Sequence, residues 1–254
     1  MSDDDSRIEQ KKKERERDKS SRDYDIVPYI VIFLFVIIVA AISYTFFIGS
    51  GGITVADEPE GVKALDNAQH PTMVAENATV NDTDNMVEVI YYGDYGCPFC
   101  ARYDSTTFPQ FKEDYIETGK VVYRFKVVDF IDDTNSRPAA LADRAVWEQS
   151  PQNYWQWHKT TFANHQGEGR RWATNNRIRK WTDEIAGLNG SDVIRSVNNN
   201  RHSRVIQQNS QDFRRDGARG TPTLIVNGTP INPLDNYDEM ESIIEESLED
   251  KRGN

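Results

Sequence analysis

Cysteine is almost missing from this chain: its 254 residues hold two, Cys97 and Cys100, one helical turn apart. Histidine is scarce as well. His70, His158, His165 and His202 are the whole supply, and none stands in a clean ligand spacing with another. A Cys-x-x-Cys that forms half a zinc site needs a second ligand pair, so zinc is disfavoured. Positive charge is also short: 30 Lys and Arg face 41 Asp and Glu. The resulting net charge of −11 argues against non-specific binding to nucleic acid.

Core-forming residues are thin in two stretches. The first 25 residues centre on Lys11-Lys12-Lys13-Glu14-Arg15-Glu16-Arg17 and read as a charged, cytoplasmic tail with no face to bury. Residues 49–85 are acidic, carry Gly, Asp and Asn, and read as a flexible linker with one short strand candidate at Thr72–Val74. Between the two it is charge that is absent, from Tyr29 to Ile48. A helix of that length covers roughly 30 Å, the thickness of a bilayer's hydrocarbon core. With no polar face it is unsuited to a soluble core. It also exceeds the roughly 7–15 residues of a cleaved signal peptide's apolar region, although Thr54-Val55-Ala56 resembles a cleavage site. The expectation is a single transmembrane helix over 29–48. Lys11, Lys12, Lys13, Arg15, Arg17, Lys19 and Arg22 precede it, and only Lys63 follows shortly after. The positive-inside rule then puts the N-terminus in the cytoplasm and the rest outside the cell membrane.

Residues 86–254 are long enough to bury a core. Val87–Tyr92 is an apolar run broken only by Glu88, as in a buried central strand. Cys97 opens a helix carrying Cys100, Tyr103, Phe111 and Tyr115, which Pro109 should interrupt. Val121–Val128 alternates as a second strand, which makes the three elements a βαβ unit with parallel strands. Strand signals then vanish from Asp133 to Ala218. Helical patterns replace them over 138–149, 153–164, around Trp181, Ile185 and Leu188, after a candidate N-cap at Ser191, and around Val205–Phe213. Strands return at Thr223–Val226 and Thr229–Ile231, joined by the hairpin dipeptide Asn227-Gly228. A last amphipathic helix carries Tyr237, Met240, Ile243, Ile244 and Leu248, capped by Asp235 or Asn236. This order, βαβ, helices, ββα, is an α/β thioredoxin fold with a central helical insertion over about 133–218.

The position of the cysteine pair gives it a chemistry. A thiol at a helix start sits beside unpaired backbone N–H groups at the positive end of the helix dipole. Those groups favour the thiolate and lower the pKa from about 8.5 into a range of roughly 3.5–7.5. Cys97 is then the nucleophile and Cys100, one turn deeper, the resolving thiol. Pro98 fits a first-turn position that has no helical N–H to lose. Phe99 supplies neither charge nor hydrogen bond to the thiolate. An inert disulfide in a non-catalytic binding or assembly module is the competing account of the same two residues.

The stretch Gly93-Asp94-Tyr95-Gly96-Cys97-Pro98-Phe99-Cys100 after a strand, the helical insertion, and Gly220-Thr221-Pro222-Thr223 before Leu224-Ile225-Val226-Asn227-Gly228 together resemble the DsbA-like thiol–disulfide oxidoreductases of the thioredoxin superfamily. The resemblance covers about Met86 to Leu248. It implies an enzyme that introduces, reduces or isomerises disulfides in exported proteins with cysteine thiols. No cofactor is implied beyond a redox-active Cys97–Cys100 disulfide, and a membrane quinone-linked partner would recharge it. It further implies a cis bond before Pro222, opposite the redox pair and beside the backbone that meets substrate, with Thr221 in contact with the pair. One departure stands out. Many relatives carry a carboxylate six residues before the first cysteine as a proton relay, and here that residue is Tyr91.

Overall fold

A computed structural model describes residues 10–13, 30–32, 54–57, 59–167, 169–234 and 237–253. By internal contacts the chain forms two units, Met1–Gly52 and Ile53–Asn254. Of the first unit, 10–13 and 30–32 are helical. The expected transmembrane segment, apart from Ile30–Ile32, lies outside the described residues, as does the expected cap at Asp235 or Asn236. Among the described residues no helix is long and apolar enough to cross a membrane.

The second unit is built on one sheet. Its strands are β1 (Val62–Ala64), β2 (Thr72–Ala75), β3 (Val87–Gly93), β4 (Val121–Val127), β5 (Thr223–Val226) and β6 (Thr229–Ile231), in the spatial order β1-β2-β4-β3-β5-β6. β3 and β4 are parallel, with Tyr91 opposite Phe125. The pair is joined by α1 (Pro98–Thr106), the short α2 (Phe108–Phe111) and a π turn over Lys112–Ile116. Pro109 breaks this connection as its missing N–H requires: α1 stops at Thr106 and a new helix starts at Phe108. Beyond β3, β5 runs antiparallel to it and turns into β6 through Asn227 and Gly228, both at positive φ (47° and 82°). That is the backbone a two-residue hairpin demands.

The insertion consists of α3 (Ser136–Gln149), α4 (Pro151–Ala163), α5 (Asn175–Asp183), α6 (Gly190–Asn198) and α7 (Ser203–Arg215). Its tryptophans are core residues, with Trp157, Trp172 and Trp181 fully buried. Two details differ from expectation. α5 ends at Asp183, so Ile185 and Leu188 lie in the turn beyond it. The cap of α6 is Asn189, whose side chain accepts from the Asp192 N–H at 3.1 Å, rather than Ser191. The final helix, α8 (Tyr237–Gly253), buries Met240, Ile244 and Leu248 as its spacing requires.

A larger correction concerns residues 49–85, expected as linker. From Val62 they supply β1 and β2, and β2 pairs with β4 through Thr72–Arg124 and Met73–Tyr123. A helical turn over Val80–Asn85 then leads into β3. The segment folds because Met73, Val74 and Ala75 are all but completely buried there. Its backbone also ties to the insertion: the Trp147 Nε1–H donates to the Ala68 carbonyl at 3.2 Å, and Arg144 donates to that of Gln69 at 2.9 Å.

The period of two in β3 assigns its side chains. Val87, Val89 and Tyr91 face the main core with Tyr123 and Phe125 of β4. Tyr92 faces a second cluster with Phe213 and Ile225. Tyr91 therefore stands on the side of the sheet that α1 covers.

Candidate active site

The site lies where β3 ends and α1 begins. Asp94 fixes the loop between them. Its buried carboxylate accepts from the Gly96 N–H at 2.8 Å and from the Ile131 N–H at 2.9 Å. Tyr95 points the other way, its hydroxyl donating to Asp143 of α3 at 2.8 Å and lying 2.8 Å from Nδ1 of His158 on α4. Gly96 is required by space alone. A Cβ there would stand 2.3 Å from Ser136 Oγ and 2.9 Å from Asp132 Cβ. The Gly96 carbonyl lies 3.2 Å from Nε2 of His165. Asp94, Tyr95, Ser136 and His165 thus clamp the chain immediately before Cys97.

Cys97 is the N-cap of α1, with extended backbone (φ −86°, ψ 118°), and Pro98 opens the first turn. Its sulfur is buried and lies 3.2 Å from the Thr221 carbonyl, across a cis Thr221–Pro222 bond. The Cys97 thiol is lowered from its ordinary 9.0 to about 6. The chief cause is a hydrogen bond from the Cys100 thiol; burial opposes it, while the Thr221 side chain and the N–H groups of Cys100 and Phe99 assist. Cys100 goes the other way. Burial pushes its thiol well above the ordinary range, and proximity to Cys97 adds to that. The pair is therefore asymmetric at neutral pH, with a thiolate at the mouth and a protonated thiol behind it. Both cysteines are free thiols here.

Phe99 stands 57 % exposed beside the pair, and Phe130 and Ile131 are exposed on the loop that Asp94 holds. Pro98, Phe99 and Cys100 thus follow Cys97 in the first turn of α1, with Thr221 and the cis bond before Pro222 opposite Cys97. The clamp formed by Ser136 and His165 was not read from the sequence. No local pattern marks it, because its members meet only when the insertion packs on the loop. His158 is a packed histidine, and burial alone pulls its pKa to about 3. Among the described residues no group of three or more His, Cys, Asp or Glu is gathered as metal ligands.

Comparison with known proteins points to the same chemistry. A family model described as "Thioredoxin" matches residues 75–246. Disulfide bond formation protein D of Bacillus subtilis is 28 % identical over 168 residues, covering 66 % of this chain and 75 % of the relative. The crystal structure of oxidised BdbD from Bacillus subtilis superposes with a TM-score of 0.63 at 26 % identity, covering 76 % of this chain and 99 % of that one. The crystal structure of Chlamydia trachomatis DsbA, at 23 % identity and a TM-score of 0.59, covers 74 % of this chain and 96 % of its own and shares the fold.

Proposed function

The chain belongs to the thioredoxin family, and from that premise we propose that it is a membrane-anchored enzyme exchanging disulfides with exported proteins outside the cell membrane. It is a thiol–disulfide oxidoreductase that needs no cofactor beyond its own cysteines. Cys97 is the nucleophile and Cys100 the resolving thiol. One observation carries the assignment: Cys97 caps α1 with its sulfur 3.2 Å from the Thr221 carbonyl, and Cys100 stands buried one turn behind it, an arrangement that lowers the Cys97 thiol and raises that of Cys100. An inert structural disulfide has no use for that asymmetry.

In the oxidising direction a substrate thiolate attacks the Cys97 sulfur of the Cys97–Cys100 disulfide. The Cys97–Cys100 bond breaks and Cys100 leaves with the electron pair, taking up a proton. A second substrate thiolate then attacks the substrate sulfur of the mixed disulfide. The substrate disulfide forms and Cys97 leaves as the stabilised thiolate. The substrate has lost two electrons and the cysteine pair has gained them. A membrane quinone-linked partner would reoxidise the pair. The exposed Phe99, with Pro98, Thr221 and Pro222, offers the substrate chain an apolar seat over Cys97. The uncharged run of Tyr29–Ile48 and the basic residues before it support the anchored, outward-facing arrangement.

Turnover on a reduced, unfolded protein substrate tests the assignment. Cys97→Ala is expected to abolish disulfide exchange; turnover at the wild-type rate would instead leave a binding module.

A further inference from the structure

The later part of the helical insertion runs against the charge of the whole chain. Residues 170–219 hold eleven Lys and Arg against five Asp and Glu, while the protein as a whole carries −11. The excess has a definite place on α7. Arg204, Gln207, Gln208, Gln211, Arg214 and Arg215 are its exposed residues. At 3.6 residues per turn they fall within one arc of about 120°. The opposite arc is buried and carries Ile206, Asn209 and Phe213. The acid of this helix, Asp212, is buried at the edge of the exposed arc and paired with Lys126 at 3.0 Å.

The arginines of this region divide into paired and unpaired. Arg215 is bound to Asp212 and Asp216, and Arg201 to Glu148. Arg204 and Arg214, and Arg219 just beyond the helix, have no ion-pair partner among the described residues. An exposed arginine on a helix is ordinary. What sets this face apart is where it leads.

α7 ends beside the redox mouth. The Phe213 ring lies 5.2 Å from that of Phe130, which is exposed together with Ile131. The Ile131 N–H donates to Asp94, the carboxylate that also holds Gly96 in front of Cys97. On the other side, Arg219 stands two residues before Thr221, whose carbonyl is 3.2 Å from the Cys97 sulfur. Between α7 and Arg137 of α3 lies an open cavity of about 390 Å³, reached from Phe130 through Asp129. The Asp129 carboxylate is taken by Arg137 at 2.8 Å. Further along the loop, Asp132 accepts from Asn135 at 2.7 Å, and Asp133 is exposed. The surface thus passes from apolar at the cysteine pair to cationic and amide-rich along α7.

We propose that this face selects clients: a polypeptide with an acidic stretch beside its reactive cysteine lays its apolar residues on Phe99, Phe130 and Ile131 and its carboxylates on Arg204, Arg214 and Arg219. The occupant follows from charge. Guanidinium groups without a partner bind carboxylates through paired hydrogen bonds, and the glutamine amides between them add donors. Elsewhere the acidic surface repels such a client, so attraction confined to this face also orients it as it arrives. The inference rests on the thiol–disulfide exchange proposed above and names the client class for that same site.

The test uses the oxidised full-length protein in neutral detergent and reduced peptides that share one cysteine and its apolar neighbours. A short run of Asp and Glu is placed on either side of the cysteine in turn, and each peptide has a twin with Asn and Gln instead. At low salt an acidic peptide is expected to react about tenfold faster than its twin, with the ratio falling toward one as ionic strength rises. Arg204→Gln, Arg214→Gln and Arg219→Gln combined should bring the ratio to about one. Because the ratio is taken within each protein, a general loss of activity cancels from it. Lys180→Gln, which removes a charge from α5, should keep the tenfold preference. A ratio near one in the wild type at low salt, or a ratio that the triple variant retains, would overturn the proposal. If the ratio is one and the wild type self-associates at low salt while the triple variant does not, the face belongs to the acidic α8 of a second copy and the proposal fails equally. A wild-type protein that reacts with no peptide would overturn the exchange activity instead.

Discussion

Among single residues, Cys97 carries the most testable physics. Its folded pKa of about 6 lies below the ordinary 9.0. A depressed acid stabilises the state that depresses it, so the reduced fold gains stability from the thiolate. That gain is complete above the unfolded pKa and is lost as pH falls through the folded one. The window therefore runs from about 9 down to about 6. Urea denaturation of the reduced protein against Cys97→Ser is expected to show an advantage that grows across this range as pH rises. Absorbance of the thiolate near 240 nm should titrate at about 6. Thr221→Val should move that titration upward, because the Thr221 side chain is one of the groups holding the thiolate. The Thr221 hydroxyl has no other hydrogen-bond partner among the described residues, so the substitution should cost little stability. Each pKa unit lost corresponds to about 1.4 kcal/mol and, for a two-electron couple, about 30 mV. The redox poise should shift with the titration.

At the scale of elements, the loop between β3 and α1 is held by packing rather than by its own sequence preference. Gly96→Ala shows this most directly, since its Cβ would fall on Ser136 Oγ and Asp132 Cβ. Overpacking of this kind costs about 1–3 kcal/mol, and urea denaturation should show a loss of that size with reduced turnover. The same loop marks how far the sequence could be read. β3, β4 and the β5–β6 hairpin are legible because a period of two and the Asn227-Gly228 pair are local signals. The helix start at Cys97 is legible because Pro98 allows one arrangement there. β1 was invisible, and β2 showed only as the short strand candidate at Thr72–Val74. They are three and four residues long, set among Gly, Asp and Asn, and too short to display a period. Their burial comes from β4 and from α4, which lie far along the chain. Tyr91 could be recognised as a departure from the resemblance. That its ring lies over Gly93 depends on Gly93 having no side chain, which becomes apparent only when both stand on one strand face.

For the molecule as a whole, the decisive question is where the folded unit begins. Composition puts the start at Met86, whereas the sheet already begins at Val62. Val62 and Ala64 of β1 and Met73, Val74 and Ala75 of β2 are buried, and Ala56 is tied by its N–H to Thr160 Oγ1 at 3.0 Å. Burying one large aliphatic side chain contributes about 1.5–3 kcal/mol, so the segment contributes on the order of 5 kcal/mol. Whole domains are stable by only about 5–15 kcal/mol. Its removal would also uncover the edge of β4, whose Tyr123 and Phe125 line the cage around Tyr91. A chain beginning at Ile53 is expected to unfold in one cooperative transition and to keep the Cys97 titration near 6. A chain beginning at Met86 should lose most of its stability, expose the β4 edge to aggregation, and lose the altered thiol chemistry with it. Circular dichroism melts and thiolate absorbance on the two truncations check this. Equal stability of the two would mean that β1 and β2 decorate the sheet instead of completing it. The site is set by the middle of the chain, but the strand pair that precedes it closes the core on which its geometry depends.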